Sequence, residues 1–209
     1  MADRVTLHGR FVRLEPLARD HGPALAAAAA VDRSTFAYTW VPDGDASAAA
    51  YVDDALAEEA AGNHLPFAVV RLDGPGGDEV VGSTRFIDTA PWRWGVAYPE
   101  RQRTGVPDAV EIGHTWLGAS AQRTVVNTEA KLLLLAHAFE TWGVYRVRLK
   151  TDARNHRSKA AISRLGAQLD GILRAHQPGA DGTVRDSASF SIVADEWPTV
   201  RDGLRRRLT

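Results

Sequence analysis

Between Glu111 and Gly166 the chain twice runs a strand through a short polar loop into a helix that a glycine stops. Residues 109–117 alternate as a strand, Asn127 or Thr128 stands ready to cap an apolar helix over 129–142, and Gly143 ends it. Residues 145–151 then alternate cleanly. Tyr145, Val147 and Leu149 share one face, and Arg146, Arg148 and Lys150 the other. Asn155 caps the next helix, 157–165, before Gly166. Two neighbouring strands that each feed a helix start leave unpaired backbone N–H groups and two positive dipole ends at one end of a sheet. That end is a seat for an anion such as a pyrophosphate, with Arg123 adding charge, and one ligand can span both junctions. Two ordinary capped helices would carry the same signals.

The remaining pattern completes a mixed architecture. Residues 5–7 and 11–14 read as short strands around Gly9, followed by helices over 18–30 and 48–61, the second capped by Asp45 or Ser47 and ended at Gly62. Strands at 65–72 and 79–87 are joined by a glycine-rich turn over 73–78. No Lys-Ser/Thr pair follows that turn, and the next segment is a strand, so it is a hairpin and not a phosphate loop. Residues 88–107 form a long loop rich in arginine and aromatic residues. Its Trp92 and Trp94 either clamp a substrate, meet a second copy, or pack on their own domain. Strands at 167–175 and 185–193 and a basic helix over 197–208 close the chain. The expected class is α/β (α+β), a single domain over 1–209 with a largely antiparallel sheet flanked by helices.

Composition narrows the chemistry. The chain has no cysteine, which removes disulfides, a cysteinyl acyl-enzyme and cysteine-based zinc sites. The seven histidines are not spaced as a metal pair on one helix face, so no metal is expected. A net charge of -1 gives no global attraction to nucleic acid or membrane. The first residues lack a long apolar run, and the alanines at 24–30 are too few to span a bilayer, so a cytoplasmic location is expected.

The late half resembles the GCN5-related N-acetyltransferase (GNAT) superfamily, and within it the RimJ/RimL-type branch. The residues that carry the likeness are Glu111-Ile112-Gly113-His114-Thr115-Trp116-Leu117, Asn127-Thr128-Glu129-Ala130, Phe139-Glu140, and Asp152-Ala153-Arg154-Asn155-His156-Arg157-Ser158 onward to Ala167. The resemblance implies acetyl-CoA lying in a V-shaped split between two central strands, 111–117 and 145–151. It implies pantetheine contacts from backbone near Trp116 and Leu117, and a pyrophosphate held by the loop Gln122, Arg123, Thr124, Val125, Val126, Asn127 and Thr128. Asn155, Arg157 and Ser158 complete that cofactor side. The chain departs from the family pattern in two respects. Val125 and Asn127 stand where the loop usually has glycines, Asn127 still being able to take an unusual backbone angle, and Ile162 stands where many members place a tyrosine acid.

The implied reaction is acetyl transfer to a primary amine by direct attack in a ternary complex. Glu111 is the candidate base, the alternative being an exposed residue or an arginine partner, and Ser158 the candidate proton donor to the leaving thiolate. Tyr38, Trp40, Arg85, Phe86, Trp92 and Trp94 are the candidates for the acceptor side, which would take a peptide or protein N-terminus or a small amine. A homodimer is compatible with the sequence. Two other readings stand beside this one. One is a non-catalytic acyl-CoA-binding module, kept open by the altered glycine loop. The other is a ribosome- or RNA-associated protein, resting on the basic tail Arg201, Arg205, Arg206 and Arg207 and the basic strand face Arg146, Arg148 and Lys150.

Overall fold

The computed structural model describes residues 4–74, 76–89 and 91–209, with Asp73 described by its backbone alone. Pro75 in the expected hairpin turn, Ala90 in the long loop and the first three residues lie outside the described residues. Among these, eight strands form one sheet: β1 (Leu7–His8), β2 (Val12–Pro16), β3 (His64–Gly74), β4 (Gly77–Ile87), β5 (Ala109–Leu117), β6 (Arg146–Asp152), β7 (Gln168–Pro178) and β8 (Val184–Val193). Their spatial order is β1-β2-β3-β4-β5-β6-β8-β7. Every pairing is antiparallel except β5 with β6. That parallel pair is short: Ala109, Val110 and Glu111 face Arg146, Val147 and Arg148, and beyond Glu111 the strands part. The sheet therefore opens into a V at its middle, as expected.

The two faces are covered differently. On one, α3 (Val125–Ala136), α4 (His156–Leu165) and α5 (Trp197–Arg206) bury a large core with Phe67, Phe86, Val147, Leu149 and Leu134. On the other, α1 (Gly22–Ala30) and α2 (Gly44–Ala60) bury a smaller cluster of Leu17, Leu25, Val52, Ala68 and Trp116. The alternation in β6 sends Val147 and Leu149 into the core and leaves Arg148 and Lys150 on the opposite face. Neither edge of the sheet is a long regular strand. β1 has two residues, and β7 breaks register with β8 between Leu169 and Gly171 and between Leu173 and Gln177.

Several boundaries differ from expectation for identifiable reasons. α1 starts at Gly22 rather than residue 18, because Arg19–His21 form a 3-10 turn and Pro23 suits a helix start. α2 starts at Gly44, so Asp45 and Ser47 lie inside it and cap nothing. α3 starts at Val125, four residues early, because Thr124 is its cap: the Thr124 hydroxyl accepts from the Val126 N–H at 3.2 Å. Asn127 and Thr128 are therefore helical residues, not caps. The helix continues as a π turn over His137–Thr141. β6 starts at Arg146, with Tyr145 turned outside the strand.

Candidate active site

The site grows from the splay of β5 and β6. β5 carries a bulge at this point. Ser83 faces Trp116 and Arg85 faces Gly113, so two residues, His114 and Thr115, oppose Thr84 alone. His114 takes φ 48, a left-handed angle that a non-glycine residue adopts at a cost. The bulge is pinned from below. Lys131 of α3, 5% exposed, donates to Thr115 Oγ1 at 2.7 Å, and the Thr115 and Thr84 hydroxyls are 2.7 Å apart. Burial pushes the Lys131 ammonium down to about 7.

Glu111 stands where the strands separate. It is 3% exposed, and its Oε2 accepts from Arg148 Nε at 2.7 Å and meets Lys150 Nζ at 3.0 Å. Arg148 also binds Asp88. The structure thus realises the arginine pairing weighed above, through Oε2, while Oε1 of Glu111 makes no hydrogen bond to the described residues.

The two helix starts flank the open end of the V. The Asn155 side chain accepts from the Ser158 N–H at 2.9 Å, so it is a helix cap. The Ser158 hydroxyl is part-buried and makes no hydrogen bond of its own within the described residues. Gln122 ties both junctions together. Its Nε2 donates to the Leu117 carbonyl at 2.8 Å and to Thr35 Oγ1 at 2.9 Å, and its Oε1 accepts from Arg157 Nη2 of α4 at 2.8 Å. Consequently the Leu117 carbonyl is already engaged, and Trp116 presents backbone only, since its ring is buried against Phe36 and Tyr51. The unusual backbone angle of this loop falls at Arg123, with φ 61, and not at Asn127. Ile162 faces the core at 7% exposure.

The acceptor-side candidates divide. Arg85, Tyr51, His64 and His114 gather on the α2 face of β3–β5; His64 and His114 ring centroids are 5.6 Å apart. Desolvation, with Arg85 nearby, lowers His64, and it holds His114 down to about 4 although part of its ring still meets solvent. Tyr38 lies under the Arg154 guanidinium at 5.0 Å, beside the β6–α4 junction. Phe86 is wholly buried on the opposite face of the sheet, so it lines no site. Trp92 stacks on Tyr145 at 5.7 Å, with Trp94 against both, at the closed end of the V. These tryptophans pack on their own domain, away from Arg85 and Tyr38. Trp40 is 65% exposed and makes no ring contact among the described residues. Tyr51, His64, His114 and Lys131 were not anticipated. The strand alternation of 65–72, extended by one residue to His64, was the available signal for one of them.

Among the described residues no group of three or more His, Asp or Glu side chains is placed to hold a metal ion. No helix of the described residues is long and apolar enough to cross a membrane.

The family described as acetyltransferase (GNAT) domain matches residues 12–168. Among solved structures, a GCN5-related N-acetyltransferase from Brucella melitensis is 27% identical, with TM-score 0.82 over 99% of this chain and 86% of that one. A provisionally assigned acetyltransferase from T. thermophilus is 32% identical, with TM-score 0.80 over 100% of both chains. Mycobacterium smegmatis RimJ in complex with CoA-disulfide shares the fold at 21% identity and TM-score 0.73, over 98% of this chain and 93% of that one. No curated protein matches the chain.

Proposed function

The chain belongs to the acetyltransferase (GNAT) domain family and is an acetyl-CoA-dependent N-acetyltransferase, and from that premise we propose that it acetylates a primary amine by direct attack within a ternary complex. The observation that carries this reading is the parting of β5 from β6 after Glu111, flanked by the starts of α3 and α4 and bridged by Gln122 and Arg157.

Each residue has a part that follows from its position. The α3 start, with N–H groups that no helical carbonyl reaches, suits the pyrophosphate; Arg123 is exposed there to add charge. Val125 and Asn127 do not obstruct this start through their backbone, because both are helical and the sharp turn is taken at Arg123. The unpaired edge of β5 beyond Glu111 offers backbone to the pantetheine arm and to the thioester oxygen. Glu111 Oε1 accepts the amine proton, directly or through a water, while Oε2 stays with Arg148 and Lys150. The amine nitrogen bonds to the acetyl carbon, the carbon–sulfur bond breaks, and the leaving thiolate takes its proton from the Ser158 hydroxyl, itself reprotonated from solvent, or from a water that Ser158 holds. The acceptor amine belongs to a small molecule or a peptide N-terminus.

Thermal unfolding with acetyl-CoA, and with CoA, ATP and NAD as comparisons, tests the premise. A ligand at a hundred times its dissociation constant adds about 2.7 kcal/mol, which for a chain of this size raises the midpoint by roughly 5–10 °C. A rise with acetyl-CoA and CoA alone supports the reading. The absence of a rise, together with no thiol release from any amine, refutes it.

A further inference from the structure

Arg85 is a buried cation without an ion-pair partner among the described residues. It is 4% exposed, and its Nε is enclosed without a hydrogen-bond partner. Among the described residues it forms no ion pair, and its guanidinium carbon lies 4.7 Å from the face of Tyr51. A guanidinium presents five N–H donors and no acceptor. Leaving such a group unpaired in the interior is costly. Of the nearby carboxylates, Glu111 is paired with Arg148 and Lys150 and Asp88 with Arg148, while Glu58, which accepts from Asn63, acts on His64 and His114 but forms no ion pair with Arg85 among the described residues. Two imidazoles stand beside Arg85. His64 Nδ1 is enclosed without a partner among the described residues, and the exposed His114 forms no hydrogen bond to them. A neutral imidazole brings one N–H donor and one acceptor nitrogen, so with the five guanidinium N–H groups the donors of the cluster outnumber its acceptors.

Its place in the sheet says what the acceptor is. Arg85 lies directly across from Gly113, at the bulge beside the split, two residues along β5 from Glu111. We propose that Arg85, with His64 and His114, binds a carboxylate of the amine substrate, held within about two strand spacings, roughly 10 Å, of the nitrogen to be acetylated. This rests on the amine-acetylating reading above and specifies its substrate. The carboxylate can be that of a free amino acid or of an acidic side chain near a peptide N-terminus.

The test uses two acceptor pairs that differ only in the anion: L-phenylalanine against phenethylamine, and the peptide amide Asp-Ala-Ala against Asn-Ala-Ala. Thiol release gives kcat/KM for each with the native chain, Arg85→Met, Arg85→Lys and His114→Ala. The native chain should favour the carboxylate member of one pair by at least about tenfold, the scale of one charge-assisted hydrogen bond. The responding pair identifies the source of the carboxylate. Arg85→Met should bring that ratio to near one with the acetyl-CoA thermal shift intact, and Arg85→Lys should keep part of it. If Arg85→Met does not fold, His114→Ala, altered at a solvent-reaching ring, should still lower the ratio. Ratios near one in both pairs, or a ratio that Arg85→Met leaves unchanged, overturn the proposal while acetyl transfer stands. If no amine turns over, transfer itself falls, and calorimetry with N-acetyl-L-phenylalanine and N-acetyl-Asp-Ala-Ala amide decides the anion site alone. Binding that disappears in Arg85→Met sustains it, and no binding to the native chain overturns it.

Discussion

Replacing Glu129 by alanine should be among the most damaging single changes in the chain. This α3 carboxylate is 5% exposed and reaches across to the turn between β1 and β2. It accepts three consecutive backbone N–H groups, from Arg10 at 2.9 Å, Phe11 at 2.6 Å and Val12 at 2.7 Å. The approach is close enough that a Cβ at Gly9 would lie 2.5 Å from the carboxyl carbon. Each buried donor left without an acceptor costs about 1–3 kcal/mol. Arg10 is exposed and water can satisfy its N–H, so two donors count, giving a loss of about 2–6 kcal/mol. At the middle of that range the midpoint falls by about 8–16 °C, using about 2–4 °C per kcal/mol for a chain of this length. Urea unfolding with linear extrapolation measures the loss directly. Glu129→Gln keeps one acceptor oxygen and should fall between. A carboxylate that merely favoured a helix would contribute no more than about 1 kcal/mol; a measured loss that small for Glu129→Ala refutes the reasoning.

Lys131 is held down to about 7 against 10.5 in the unfolded chain, so between those values the unfolded state carries the extra proton and stability rises with pH. Lys131→Met should flatten that rise and stabilise the protein at neutral pH, read by urea midpoints from pH 7 to 10; an unchanged slope rules this out. Glu111→Gln should lower kcat by about 10²–10⁴ with the acetyl-CoA thermal shift retained, whereas full turnover at every pH would remove Glu111 as the base. Gly82→Ala places a Cβ 2.1 Å from the Trp116 carbonyl oxygen. It should separate β4 from β5 and abolish acetyl-CoA stabilisation, and a normal thermal shift in this variant contradicts that. Deleting residues 91–103 removes the Trp92 stack on Tyr145 and the Arg103 bonds to Gly143 and Pro107. It should lower the melting temperature and leave acceptor preference unchanged, with any shift in preference arguing for a substrate role.

What the sequence revealed follows from how local each signal is. The alternation of β6 and the glycines that end helices are properties of a few adjacent residues, and both were readable: Gly166 takes φ 103 and Gly143 φ 61 just past their helices. The α3 cap was misplaced because Thr124, Asn127 and Thr128 are all good caps, and Val125-Val126 gives no periodic hint of which one the helix uses. Arg85 and Phe86 were both nominated for the acceptor side, yet strand geometry sends adjacent residues to opposite faces, so one had to be wrong. The buried charges of Glu129 and Lys131 were not legible at all. Their partners lie on the β1–β2 turn and on the β5 bulge, far away in sequence, and a helix with two charged residues on its core side still reads as amphipathic. The tryptophan cluster at 92 and 94 carried no direction, since Tyr145 becomes its partner only through the fold.

The uneven borders of the sheet bear on how the protein behaves at high concentration. A long flat border strand is a template on which further chains can grow. Here one border is too short to template anything, and the other is kinked twice, with Asp170 and Arg174 on it. Leu169, Ile172 and Leu173 are 56%, 48% and 41% exposed along that kinked border, and its breaks in register interrupt the flat row of backbone groups on which a second apolar strand would pair. Straightening β7 would therefore offer further chains a continuous apolar border to pair on, even though no residue of the catalytic cleft had changed.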